Sequence, residues 1–212
     1  RTFYYEPVTR NLIVAYFNGL SWNNITIDSG TDVGKFMKAI VAPNGVYHVA
    51  YHDAANGALK YATSPDGFEW TTTVVDPFNN AGRGLDIGLD EAYTPWISYF
   101  APGLNELRLT HKVNNSWVFP TVVKSPVVGT NYIKMAYNAL TGLFEIAYQD
   151  GADLRGYHAY MSGENWIIEP VPAQFESFMY VDCAVSPSGQ AFFAYQEDRK
   201  STRLNSSHVS PS

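Results

Sequence analysis

Residues 64–70 read Ser64-Pro65-Asp66-Gly67-Phe68-Glu69-Trp70. Ser, Pro, Asp and Gly in succession are turn chemistry: Pro presets φ, Asp bonds to its own backbone, and Gly accepts positive φ. The tryptophan that closes the stretch returns along the chain. Trp22, Trp70, Trp117 and Trp166 stand 48, 47 and 49 residues apart. Self-similarity at such a period decides the fold, so it is read before anything else.

Outward from Trp70, residues 37–42 and 46–51 are strand-like, with Pro43-Asn44-Gly45 turning between them. Residues 52–57 form a loop, 59–63 a third strand and 70–75 a fourth. Four strands in each 48-residue repeat is the arithmetic of a propeller blade. A second series keeps the period: Val49-Ala50-Tyr51, Ile97-Ser98-Tyr99, Ile146-Ala147-Tyr148 and Phe193-Ala194-Tyr195 each read apolar, small, Tyr. Side chains alternate across a strand, so the small residue faces one neighbouring blade while the Tyr and its apolar companion fill the other interface. A third series, Gly34, Gly82 and Gly129, lies in the links between blades. The predicted fold is all-β, a β-propeller of four-stranded antiparallel blades with about four blades' worth of chain and no helix. Its rival is a β-sandwich with accidental periodicity.

The repeats divide residues 1–198 into a partial unit at 1–28, full units at 35–76, 84–124 and 132–172, and a partial unit at 179–198. Residues 199–212 are polar, break the repeat and look like a non-native or disordered tail, set aside from the fold. The end strands could close a four-bladed ring, or the chain could be a length of a larger propeller. Tyr4-Tyr5-Glu6, which looks like the end of a second strand, favours the larger one. Open sheet edges in such an array imply edge-to-edge self-association.

Composition narrows the function classes. Charged residues are 16% and aromatics 15%, which suits short strands and tight turns. A net charge of −6 argues against nucleic acid and anionic membranes as partners. No apolar run approaches the ~20 residues of a spanning helix, so no membrane insertion is expected. Cys183, the lone cysteine, forms no internal disulfide and reads as a buried apolar strand residue. His48, His52, His111 and His158 lack metal-ligand spacing, and Gly82-Arg83-Gly84 is too short for a phosphate loop. Neither a metal nor a cofactor is expected.

At this point a resemblance enters. Asp28-Ser29-Gly30-Thr31-Asp32-Val33-Gly34-Lys35, Asn44-Gly45-Val46-Tyr47-His48-Val49-Ala50-Tyr51-His52-Asp53, Asn56-Gly57-Ala58-Leu59-Lys60-Tyr61-Ala62, then Gly67 and Trp70, resemble a tandem repeat of large secreted or surface bacterial proteins. The wider group is the sialidase-like propellers with Asp-box repeats. Ser64, Asp66, Gly67 and Trp70 give a form of that box one residue short and without its Thr. The resemblance implies a secreted or cell-surface bacterial protein, and a structural turn at Asp66 and Gly67 on the face away from any active site. It would also bring an arginine triad, a Tyr–Glu pair and an Asp acid. None of these maps onto the chain, so no catalytic residue is assigned. Lys60, Arg108 and Arg155 read as repeat-equivalent cations that pair with acids such as Glu106 or Asp153.

In a propeller the loop after the second strand shares a face with the links between blades. That face is expected to gather His52, Asp53, Arg83, Gln149, Asp150 and Asp153, with Glu197 and several tyrosines. Aromatic rings with planar polar groups suit sugars. The expected function is a non-catalytic module that binds a glycan or a surface protein at the bacterial surface. A sialidase-like glycoside hydrolase fragment and a structural spacer are the alternatives.

Overall fold

The computed structural model describes residues 1–130, 132–172, 178–197 and 205–209. Among them every regular element is a strand, gathered into five antiparallel sheets with no helix. Sheet I holds β1 (Thr2–Glu6), β2 (Asn11–Phe17) and β3 (Trp22–Asp28). Sheet II holds β4 (Val33–Val41), β5 (Tyr47–Asp53), β6 (Ala58–Ser64) and β7 (Thr71–Asp76). Sheet III holds β8 (Arg83–Leu89), β9 (Pro95–Ala101) and β10 (Glu106–Val113), and its outer strand is split into β11 (Ser116–Trp117) and β12 (Thr121–Lys124). Both pieces pair with β10. Pro120 falls in the gap, where a residue without an N–H cannot continue a ladder. Sheet IV holds β13 (Ile133–Asn138), β14 (Leu143–Asp150), β15 (Arg155–Ser162) and β16 (Asn165–Pro170). Sheet V holds β17 (Phe178–Val185), β18 (Ala191–Glu197) and β19 (Asn205–Val209).

The last strand departs from expectation. Asn205–Val209 lies within the tail set aside from the fold, yet it runs antiparallel to β18. An edge strand presents unpaired N–H and C=O groups, and the chain that follows satisfies them. The rest of 199–212 lies outside the described residues, as does the Glu197 side chain.

The innermost strands meet in succession: β4 packs on β8, β8 on β13, and β13 on β17. The apolar–small–Tyr series forms the contact between sheets. Tyr51, Tyr99 and Tyr148 are each 0% exposed, and so are Ala50, Ser98 and Ala147. A small side chain there lets the next sheet approach, and each buried ring contributes about 1.5–3 kcal/mol. Two of the repeated tryptophans lean back on the sheet before them: Trp70 meets Phe3 at 5.8 Å and Trp117 meets Tyr61 at 5.1 Å between ring centroids. Trp22 belongs to the first described sheet, has no such platform and is 63% exposed. Cys183 is half-buried on β17, with Sγ 3.9 Å from the Glu145 carbonyl of sheet IV.

The opening turn is built from side-chain caps. The Asp66 carboxylate accepts the Phe68 and Glu69 amides at 2.8 and 3.1 Å, and Ser64 Oγ accepts the Gly67 amide at 2.7 Å. These amide bonds hold the Asp66 pKa below the usual carboxylate range. Gly67 has φ of 77°, which suits a residue without Cβ. In sheet I, Asn18 does the same work, accepting the Leu20 and Ser21 amides at 2.9 Å.

Polar groups tie the sheets together. The Tyr51 hydroxyl donates to Asp28 at 2.6 Å, and Lys60 pairs with the same carboxylate. One repeat on, the Tyr99 hydroxyl donates to Asp76 at 2.7 Å, and Arg108 binds Asp76 at 3.0 Å and Glu106 at 2.7 Å. Strand register corrects the expected third member. Lys60 stands opposite Tyr51 and Arg108 opposite Tyr99, but Tyr148 faces Tyr157, while Arg155 faces Asp150. Arg155 is therefore not equivalent to the other two cations. Lys124, opposite Leu107, takes the place that Asp76 holds opposite Leu59.

Candidate functional site

The site begins with a backbone irregularity that recurs in the inner strands. In β4, Lys35 faces His52 and Lys38 faces Ala50, so Phe36 and Met37 share one partner position. In β8, Arg83 faces Phe100 and Leu85 faces Tyr99, which leaves Gly84 as the extra residue. In β17, Met179 faces Gln196 and Asp182 faces Ala194, so Tyr180 and Val181 share a position. Each is a β-bulge, which inserts one residue and re-aims the side chains around it. The first residue of each bulge is left-handed: φ is 52° at Phe36, 55° at Gly84 and 55° at Tyr180.

Just past the bulges the chain places a row of alternating charge. Lys38, Asp86, Lys134 and Asp182 each lie 48 residues from the next. They stand opposite Ala50, Ser98, Ala147 and Ala194. Asp86 is buried and accepts the Met135 amide at 2.9 Å; burial raises its pKa. Lys134 approaches the exposed Asp182 at 3.7 Å.

Bulges and charges together wall a cavity of about 490 Å³ where the inner strands of sheets II to V converge. Phe36, Tyr132 and Tyr180 supply rings; Lys38, Lys134 and Asp182 supply charge. Tyr132 and Tyr180 stand 5.0 Å apart between centroids. The arrangement offers flat apolar faces beside strong donors and one acceptor. No cluster of His, Cys, Asp and Glu that could hold a metal occurs among the described residues.

The loops expected to share a face do so. The Ala54 amide bonds the Asp32 carbonyl, Gly103 bonds Asn79 and Gly151 bonds Val128, each joining a loop to a link between sheets. The expected ligand residues separate, however, and none lines the cavity. His52 is buried, with Nδ1 2.7 Å from the Ala81 carbonyl, so that nitrogen carries the proton. Burial lowers its pKa, and its ring lies 6.0 Å from Phe36. The Arg83 guanidinium is 5.9 Å from the same Phe36 ring. These two residues therefore flank a wall of the cavity. Asp53 is buried and accepts the Asn56 amide at 3.1 Å and its Nδ2 at 2.9 Å. Asp150 is likewise buried and accepts Val128 and Ala152 amides at 3.1 and 3.0 Å. Asp153 accepts from the Tyr157 hydroxyl at 2.5 Å, and the backbone N–H of the buried Gln149 donates to the Tyr132 carbonyl. Sequence reasoning missed Phe36, Lys38, Tyr132, Lys134, Tyr180 and Asp182. The strict 48-residue spacing of the charges was the available signal.

No family model and no curated protein sequence matches the chain. Solved structures do. The intramolecular trans-sialidase from Ruminococcus gnavus superposes with a TM-score of 0.58 at 13% identity, over 87% of this chain and 45% of that one. The Aleuria aurantia lectin, solved with alpha-methyl-L-fucoside, gives 0.56 at 15% identity over 96% and 70%. The SapL1 lectin, solved with alpha methyl fucoside, gives 0.56 at 12% identity over 89% and 65%. The chain thus spans less than half the length of the sialidase. It has a propeller-like, all-β fold of the kind these sialidases and lectins share. Identities this low speak to fold alone.

Proposed function

We propose that the chain is a non-catalytic glycan-binding propeller module whose ligand sits in the cavity between the inner strands. One observation carries the reading: three aromatic rings and three charged side chains from sheets II, IV and V and the link into sheet IV meet in a single space of about 490 Å³. Sugars present apolar C–H faces and hydroxyl edges, so rings beside ammonium and carboxylate groups form a complementary lining. Lectins and sialidases on the same fold support the same class of ligand. The charges favour binding over hydrolysis. Most glycoside hydrolases use two carboxyl groups flanking the bond and sialidases a Tyr–Glu pair with an Asp acid, whereas Asp182 is the one carboxylate among the described lining residues. Such a module would act outside a bacterial cell, at its surface.

The test is a glycan array followed by calorimetry on the hits. Lys134→Ala is expected to weaken binding about tenfold. An array without hits would sink the reading in favour of a spacer. Turnover of a glycoside panel would replace it with the hydrolase reading.

A further inference from the structure

The repeated bulge carries a second inference, which rests on the glycan reading above. Phe36 and Tyr180 occupy the same place in their sheets, and both hold left-handed backbone, at φ of 52° and 55°. For a bulky aromatic side chain that conformation is an outlier, and such outliers persist where a surrounding structure or a function holds them. Sheet III shows what the fold itself needs at this place. Gly84 stands there with φ of 55°, the strain-free solution. The bulge therefore forms without a side chain, and core packing does not ask for the rings. Phe36 is 41% exposed and Tyr180 is 60% exposed, so neither is buried in an interface. Both nevertheless line the cavity.

We propose that Phe36 and Tyr180 are the specificity-determining walls of the ligand site, and that Gly84 is the gap through which the ligand enters. Tyr180 stands beside Tyr132 on one side of the cavity, and Phe36 stands on the other, steadied by His52 and Arg83. The occupant assigned to the space between these walls is a single pyranose ring with apolar C–H faces, the rest of the glycan leaving over Gly84, where no side chain blocks it. Its hydroxyls then meet Lys38, Lys134 and Asp182 on the lining.

The experiment measures glycan affinity and thermal unfolding for the wild-type chain, Phe36→Gly, Tyr180→Gly and Gly84→Phe. Each glycine variant is expected to keep or raise its Tm, because positive φ suits glycine, while its affinity falls about tenfold or more. Gly84→Phe is expected to exclude extended glycans and to retain a monosaccharide. If the wild type binds a glycan and both glycine variants bind it equally well, the wall assignment is overturned and the glycan reading stands. If the wild type binds none, both fall. A glycine variant that loses Tm along with affinity is a core residue, which also overturns the assignment.

Discussion

At the junction of sheets II and III, the Tyr99 hydroxyl and the Arg108 guanidinium share the Asp76 carboxylate. At the junction of III and IV, the matching places hold Tyr148, Tyr157 and Lys124, and the Tyr148 hydroxyl has no hydrogen-bond partner. The two tyrosine rings are equally inaccessible, at 0% exposure each. The second junction puts a stacked Tyr148–Tyr157 pair, 5.5 Å between centroids, where the first puts an ion pair. Ring packing sets the spacing of the sheets, and the polar triad is an addition that the fold can omit. The II–III junction adds more polar chemistry near its other end: His48 Nδ1 lies 2.5 Å from the Tyr61 hydroxyl, and Lys112 lies 4.7 Å from the Tyr61 ring.

This contrast can be broken experimentally. The largest effect is expected from Asp76→Ala, which takes the acceptor from the buried Tyr99 hydroxyl and leaves Arg108 with Glu106 as its one carboxylate. Removing one partner of a buried pair costs about 3–5 kcal/mol, measurable by urea unfolding. Next comes pH. Burial, with Lys112 nearby, lowers the His48 pKa from 6.5 to about 4. The unfolded chain then binds more protons through that window, so stability is full above about pH 6.5 and declines as the pH falls towards about 4. The loss attributable to His48 is about 3 kcal/mol, and His48→Gln should remove that component of the pH profile. A profile identical in wild type and variant would place the acid sensitivity elsewhere. The sharpest comparison is the smallest. Tyr99→Phe should cost about 1–2 kcal/mol because it deletes a charge-assisted bond, whereas Tyr148→Phe should stay within about 0.5 kcal/mol. Equal costs for the two would mean that both hydroxyls are used alike.

The tryptophan and tyrosine periods made the fold legible because these residues pack between sheets, and packing repeats when sheets repeat. Asp66 was legible for a local reason: an Asp before Gly in a turn finds its own backbone amides. The same chemistry misdirected the search for a site. Asp53 and Asp150 sit on the expected loops, but their carboxylates turn inward to cap amides, as short acidic side chains in loops do. His52 and Arg83 came closer, since both touch Phe36. The cavity itself was hidden by its origin in the backbone. A bulge leaves no repeating mark of its own in composition, so Phe36, just before the strand read at 37–42, and Tyr180, inside the unit at 179–198, did not stand out. Arg155 was misaligned. Lys60 and Arg108 each lie nine residues after the tyrosine of their repeat, whereas nine residues after Tyr148 stands Tyr157, the pairing that the ladder shows.

The bulges also separate two kinds of change that most sheets couple. A residue inserted into a strand ordinarily flips every later side chain to the opposite face. Here the insertion is already absorbed at the same point in sheets II, III and V, with the pairing restored by Lys38, Asp86 and Asp182. Positions 36, 84 and 180 therefore carry Phe, Gly and Tyr while the ladders beyond them stay in register, the left-handed backbone adding a conformational cost to any residue but glycine. A library confined to those three residues would recast the lip of the cavity and leave the tyrosine layers beneath it intact. The three positions lie one each in separate sheets, so each can be exchanged without disturbing the other two.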